Sequence, residues 1–331
     1  MSILFSPVKI GPVTIKNRFM GCSVFEYAVN PDGTPKQKLL SFMEDLAKGE
    51  VGLVIPNFIQ TNETLKIIQN QNESNKQNHT EIWTKAIQKI HEKGTKIFFQ
   101  ITHVGANALS NMENESPSKY SQIINNLKTS EIEDIIDSFH KKALLAKKIG
   151  ADGVQLHGSN GILHSVFFSP DFNRRTDKYG GSIENRSRLV MEAAKAIRES
   201  AGPDFSIAMK LNGNDFRPFG PNPDLVSRYI THLKKQIDMF EISCGNPNLI
   251  SESKEEHFQK AYTRKFYDAF NISYAEFIKR DNPDIVIAVV GSLRTISSME
   301  EAIKNKTIDI ISLSKPLVIK PDLIKKVNQN I

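Results

Sequence analysis

"SEIEDIIDSFHKKALLAKKIGADGVQLHG", residues 130–158, holds one complete helix–loop–strand unit. Ile132, Ile135, Ile136, Phe139, Ala143, Ala146 and Ile149 recur at helical spacing, so one face of 130–150 is apolar. Ser130 and Glu133 stand in capping-box register at its start, and Gly150 ends it. The following "ADGVQLHG" (151–158) is a short, nearly continuous apolar run. Such a run suits a strand buried on both faces, as in a parallel sheet.

The unit recurs. Comparable runs are "NRFMGCSV" (17–24), "VGLVIPNF" (51–58), "KIFFQI" (96–101), "FSIAMKLN" (205–212), "MFEISCGN" (239–246), "IVIAVVGS" (285–292) and "DIISLSKP" (309–316), which makes eight with 151–158. Helix-like stretches at 36–48, 81–93, 185–200, 223–236, 264–281, 297–305 and 321–329 alternate with them. Eight such repeats in 331 residues predict an α/β fold of the closed (β/α)8 TIM barrel type, ahead of an open doubly wound sheet. No domain boundary is visible, so a single domain is expected over 1–331. The polar stretches 69–80 and 106–129 follow predicted strands and read as long loops, the first, rich in Asn and Gln, as a disordered tip.

Composition narrows the class of function. The net charge is +6 with both signs interspersed, where a nucleic-acid binder would cluster its basic residues. The pairs Lys141/Lys142, Lys147/Lys148 and Lys234/Lys235 read as solvated helix faces. Two cysteines, Cys22 and Cys244, make no disulfide framework; they read as small buried residues in a reduced, cytoplasmic setting. The N-terminus shows no signal-peptide pattern, and no apolar run is long enough to span a membrane.

A barrel builds its site at the C-terminal ends of its strands. Standing there are Ser23, Asn57, Gln100, His103, His157, Asn160, Lys210, Asn212, Ser243, Cys244, Gly291, Ser292, Ser314 and Lys315. Neutral amides, histidines and lysine dominate. No carboxylate pair suggests glycoside hydrolysis, no cluster has metal-ligand spacing, and no nucleophile elbow is present. The inventory suits a polar planar ligand and the stabilisation of developing negative charge. "VVGSLRT" and "SLSKPL", after the seventh and eighth strands, sit where barrels bind phosphate, with a glycine-containing turn that holds no ligand as the alternative.

The stretch "FFSPDFNRRTDKYGGSIENRSRLVMEAAKAIR" (167–198) resembles the signature of the old yellow enzyme family. "FSPVKIGPVTIKNR", "AKGEVGLVI", "KIFFQITHVG", "MKLNGNDF" and "VGSLRT" follow in family order, so the resemblance covers essentially the whole chain. It implies a (β/α)8 barrel binding FMN, with NADH or NADPH as electron donor. Gln100 then matches the glutamine that pairs with the flavin pyrimidine edge, and Lys210 the basic residue near N1 and C2=O. Gly291, Ser292, Ser314 and Lys315 match the phosphate turns, and Ser23 and Asn57 complete the cofactor-binding set. His157 and Asn160 resemble the catalytic pair that donates hydrogen bonds to a substrate oxygen. Within the signature, Arg175, Asp177, Gly180 and Gly181 read as turn formers and loop ion pairs, and Asn185 and Arg186 as a helix start.

Three departures stand out. Ile162 occupies the place of the family's tyrosine proton donor, and loss of such an acid costs about 10²–10⁴ in rate. Phe25 stands where relatives carry a polar tuning residue, and Tyr27 is a candidate substitute donor in the substrate pocket with Ile162. Lys315 replaces an arginine, which removes a bidentate fork. A chain ending at 331 is expected to lack the iron–sulfur and second nucleotide-binding regions of larger dienoyl-CoA reductase relatives. The expected activity is FMN-dependent NAD(P)H oxidation with a small-molecule electron acceptor: quinone, nitro compound, flavin, oxygen, or an α,β-unsaturated carbonyl at reduced rate. Neither nucleic acid nor membrane is expected as partner, and homo-oligomerisation stays open. The alternatives are a flavin-binding barrel with vestigial catalysis and, last, a phosphate-binding barrel of unrelated chemistry.

Overall fold

The computed structural model describes residues 2–23, 34–60, 73–103, 117–216, 219–245, 269–291 and 293–330. A hairpin of β1 (Val8–Ile10) and β2 (Val13–Ile15) opens the chain. The strands β3 (Phe19–Gly21), β4 (Leu53–Val54), β6 (Lys96–Thr102), β7 (Gly153–Gly158), β8 (Ser206–Asn212), β9 (Met239–Ser243), β10 (Val286–Val290) and β11 (Ile310–Leu313) then pair in parallel. The ladder runs β3–β4–β6–β7–β8–β9–β10–β11 and returns to β3, closing an eight-stranded barrel. This is the predicted (β/α)8 TIM barrel. The second barrel strand is broken. Pro56 has no N–H to give the ladder, and β5 (Asn57–Gln60) resumes against β6 with a shifted register.

Helices α1 (Gln37–Lys48), α2 (Glu73–His91), α3 (Pro117–Asn126), α4 (Thr129–Lys148), α5 (Leu163–Phe168), α6 (Ile183–Ala201), α7 (Pro223–Leu233), α8 (Ile272–Asp281), α9 (Ile296–Lys304), α10 (Lys315–Ile319) and α11 (Leu323–Asn330) fill the connections. Several expectations are corrected here. Residues 73–80 of the Asn/Gln-rich stretch are helical, and 69–72 lie outside the described residues. The 106–129 stretch contains α3, opened by Pro117, whose missing N–H costs nothing at a helix start. The cap of α4 is Lys128, two residues earlier than Ser130: the Glu131 carboxylate accepts the Lys128 N–H at 2.7 Å, and the ammonium of Lys128 has no lone pair to complete a box. Lys142, read as solvated, is fully buried, and its Nζ has no hydrogen-bond partner.

The barrel interior is layered. Met20, Leu53, Ile55, Phe98, Ala208, Met239, Ala288 and Ile310 form an apolar lower layer, closed from below by Ile10, Val13 and Ile15 of the hairpin. A larger apolar cluster lies between strands and helices, from Trp83 and Phe99 round to Met299 and Leu317. One device repeats at the N-terminal edge. Asp152, Asp238 and Asp309 each immediately precede a strand segment. Each donates its N–H to the carbonyl of Ile97, Ile207 or Ile287 on the neighbouring strand (3.0, 2.7 and 2.8 Å). Each carboxylate accepts the N–H of that same isoleucine (3.0, 2.8 and 2.9 Å) and pairs with a cation, Lys96, Arg198 or Lys279. The carboxylate thereby satisfies the edge N–H that a strand end leaves open.

The 169–186 segment is scaffold. The Arg175 guanidinium pairs with both oxygens of Asp177 and donates to the carbonyls of Ile124 and Leu127 at 2.6 and 2.7 Å. A Cβ on Gly180 would lie 2.1 Å from the Arg175 carbonyl oxygen, so only glycine permits that closure. Ser182 caps α6 by accepting the Asn185 N–H at 3.2 Å. Asn173 donates to the carbonyls of Phe167 and Tyr179, and Arg186 to the Tyr229 hydroxyl, which in turn holds the Phe168 carbonyl at 2.6 Å. The loop thus fixes α5, the helix that follows residues 157–162.

Candidate active site

Above the apolar layer the interior becomes polar. Gln100 and Gln155 are register partners on β6 and β7, and Lys210 is the partner of His157 on one side and of Glu241 on the other. Gln100 and Lys210 are almost wholly buried, at 2% and 6% exposure. Gln100 Nε2 donates to Gln155 Oε1 at 2.8 Å, and Gln155 Nε2 donates to Glu241 Oε2 at 2.8 Å. Glu241 Oε1 accepts from Lys210 Nζ at 3.3 Å and from Ser312 Oγ at 2.7 Å. Burial pulls the Lys210 ammonium toward its neutral form, but the Glu241 carboxylate, with Cys22 adding to it, overrides this and raises its pKa. Cys22 is buried, and that burial pushes its thiol up despite the nearby lysine, so it is no activated thiolate.

His157 ends β7. Burial first, then the charges of Lys210 and His164, hold its imidazole well below the ordinary histidine range, so the ring is neutral. The Ser159 backbone N–H donates to His157 Nδ1 at 3.3 Å, which makes Nδ1 the acceptor and leaves the proton on Nε2. Asn160 has φ +59° and Gly161 φ +80°, a left-handed pair that turns the chain into α5. Asparagine tolerates that conformation better than most residues with a Cβ. Ile162 follows as the residue before α5 and is buried, an aliphatic side chain with nothing to donate.

At the far wall, Gly291 ends β10 with φ +107°, and a Cβ there would lie 2.8 Å from Asn271 Nδ2. Asn271 Nδ2 donates to the Val290 carbonyl at 2.6 Å, while its buried Oδ1 has no partner. Ser314 precedes α10, and Lys315 opens that helix, exposed at the barrel mouth. Ser23 lies just past β3, half-buried; Asn57 begins β5, with its side chain outside the described residues. Phe25, Tyr27 and Ser292 also lie outside them. Gln100, Lys210 and His157 are brought together on adjacent strands, and the Gly291 and Ser314–Lys315 turns end the neighbouring strands β10 and β11.

Glu241 and Gln155 were not among the residues picked from sequence. The signal was present: a carboxylate in the otherwise apolar "MFEIS" must have a partner if that strand is buried on both faces. The donor set fits FMN. Beyond its bond to Gln155, Gln100 keeps its Oε1 and second N–H for a ligand edge, Lys210 supplies a buried cation, and the orphaned Asn271 Oδ1 marks the glycine turn as incompletely satisfied by protein. Among the described residues no cluster of histidine, cysteine or carboxylate side chains could hold a metal ion, and no helix is long and apolar enough to cross a membrane.

Residues 3–331 match the NADH:flavin oxidoreductase / NADH oxidase family. An NADH oxidase of Thermoanaerobacter brockii is 28% identical over 98% of this chain and 50% of that protein, so the chain spans about half the length of that relative. An NADPH dehydrogenase of a Geobacillus species (strain WCH70) is 28% identical over 97% of this chain and 92% of its own length. A 2-naphthoyl-CoA reductase, solved with 2-naphthoyl-CoA, superposes with a TM-score of 0.82 at 23% identity over 99% of this chain and 52% of that one, a likeness of fold. The barrel, the donor set at its mouth and the family match agree: the chain belongs to the NADH:flavin oxidoreductase / NADH oxidase family of FMN-dependent oxidoreductases.

Proposed function

We propose that this protein oxidises NADH or NADPH through FMN held at the barrel mouth and passes the electrons to a small-molecule acceptor. The observation that carries this reading is the buried Gln100–Gln155–Glu241–Lys210 network beside neutral His157. Bound FMN would supply the hydride and electron chemistry. The chain's residues supply the rest. Gln100 and Lys210 hold the cofactor's pyrimidine edge, with the lysine favouring negative charge there. The Gly291–Ser292 and Ser314–Lys315 turns hold its phosphate, and Ser23 and Asn57 border it. His157, with its proton on Nε2, and Asn160, through its amide, both donate to one oxygen of the acceptor. A cytoplasmic setting goes with this reading, since Cys22 and Cys244 are not joined in a disulfide.

The acceptor follows from Ile162. Polarising a carbonyl is within reach of His157 and Asn160, but protonating the substrate carbon needs an acid, and isoleucine has none. Quinones, nitro compounds, free flavin and oxygen need no such proton, so they outrank α,β-unsaturated carbonyls. The purified protein is expected to be yellow and to bleach on anaerobic addition of NADH or NADPH. Mixed with a quinone and an enone, the reduced protein should turn over the quinone faster. Ile162→Tyr should raise the enone rate by about 10²-fold or more with the quinone rate little changed. Enone turnover well above quinone turnover in the unaltered protein would sink the acceptor assignment, and a protein that takes up no FMN would sink the whole reading.

A further inference from the structure

We infer that Glu241 is a positioning residue for the cofactor: one buried carboxylate holds the Lys210 ammonium and, through Gln155, dictates which way the Gln100 amide faces. The inference rests on the FMN reading above for its consequence, but not for its geometry.

Glu241 is fully buried on the inner face of β9. A carboxylate only accepts hydrogen bonds. Gln155 therefore turns its NH₂ toward Glu241 Oε2, at 2.8 Å, and its carbonyl oxygen is left for the other side. Gln100 meets that oxygen with an N–H, at 2.8 Å. The amide orientation at both glutamines follows from the charge at 241, three strands away from Gln100. A cofactor edge arriving at Gln100 meets a fixed pattern of one carbonyl oxygen and one N–H. Had residue 241 been neutral and able to donate, either amide could turn over without leaving a bond unmade, and the pattern would be mixed.

The second arm is charge. Lys210 and Glu241 pair at 3.3 Å with both side chains almost wholly buried. The pair carries no net charge, so the cation presented to the cofactor is partly compensated from behind. Ser312 Oγ supports the same oxygen at 2.7 Å and keeps the carboxylate in place. Removing the negative charge leaves Lys210 uncompensated, which favours whichever form of the cofactor carries more negative charge.

The test uses Glu241→Gln, Glu241→Asp and Gln155→Met in the full chain. In Glu241→Gln, the affinity ratio of reduced over oxidised FMN should rise about tenfold, equivalent to a midpoint shift of about +30 mV for a two-electron couple. Glu241→Asp, which keeps the charge, should stay within about threefold of the unaltered protein. Gln155→Met removes both bonds of that amide, to Gln100 and to Glu241 Oε2, but leaves the Lys210–Glu241 pair through Oε1 in place; FMN should bind about tenfold more weakly, with the potential changed far less than in Glu241→Gln. A titration of the Lys210 ammonium by nitrogen NMR in cofactor-free protein separates this inference from the FMN reading. It should lie above the ordinary lysine range with Glu241 and below it in Glu241→Gln, whether or not FMN binds. If the lysine titrates alike in both, or if potential and FMN affinity are the same in all four proteins, the inference is overturned.

Discussion

Asn160 shows how closely chemistry and backbone are tied at single residues. Its φ of +59° sits in a region costly to a residue with a Cβ, and its amide is the second donor of the proposed oxygen clamp. Two substitutions separate these roles. Asn160→Gly frees the backbone and deletes the donor; Asn160→Ala deletes the donor and keeps the strain. Both should weaken binding of a phenolic ligand over the flavin by about 1 kcal/mol or more. Only Asn160→Ala should also be less stable than Asn160→Gly, by about 1 kcal/mol in urea titrations. Equal stabilities would mean that the left-handed turn is not what selects asparagine. Ile162 is the contrary case, a residue whose importance is what it lacks. His157 and Ile162 were legible in sequence because a resemblance gave each a place. The tautomer of His157 was not, since it depends on the Ser159 N–H folding back onto Nδ1.

Among elements, the three aspartates that open β7, β9 and β11 do for the barrel's lower rim what caps do for helices. Asp238→Ala would orphan the Ile207 N–H and leave Arg198 without its carboxylate. We expect a loss of about 1–3 kcal/mol in chemical denaturation, with FMN binding at the opposite rim unchanged. A change in FMN affinity larger than the change in stability would contradict a purely structural role. The eight strands were readable because strands buried on both faces are apolar along their whole length, and the helices because their stripes repeat. The break at Pro56 was less so: "VGLVIPNF" reads as one run, and only the missing ladder N–H divides it. Helix starts were misplaced for a similar reason. The Asn/Gln-rich 73–80 has no apolar stripe, yet it is the first part of a helix whose later turns bury Trp83, Ile87 and Ile90. Lys142 was misread although the spacing placed it: three residues after Phe139 and four before Ala146, it lies on the stripe that faces the barrel.

That lysine bears on the stability of the whole molecule. Burial lowers the Lys142 pKa from 10.5 to about 6. Burial likewise lowers His103 from 6.5 to about 3, with Lys142 and His164 contributing, and His164 to about 4; His157 falls in the same direction. In each case the unfolded chain binds the proton more readily than the folded one, so stability rises with pH across the window between the two pKa values. For Lys142 that window runs from about 6 to 10.5, and for the histidines it lies below 6.5. Two limbs follow. Acidification from pH 6.5 should destabilise the fold steeply, by roughly 4 kcal/mol per pH unit if all three rings contribute in full. Between pH 7 and 9 stability should instead climb gently, by about 1.4 kcal/mol per unit from Lys142. Lys142→Met removes the gentle limb and leaves the acid limb, because it takes away a buried amine that has no hydrogen-bond partner and leaves the rings in place. At pH 7 the variant should be more stable by on the order of 4 kcal/mol, the free energy needed to neutralise or bury that amine. Urea denaturation at half-unit intervals from pH 5 to 9 measures both limbs. An unchanged slope above pH 7 in Lys142→Met would show that the amine stays ionised in the folded protein.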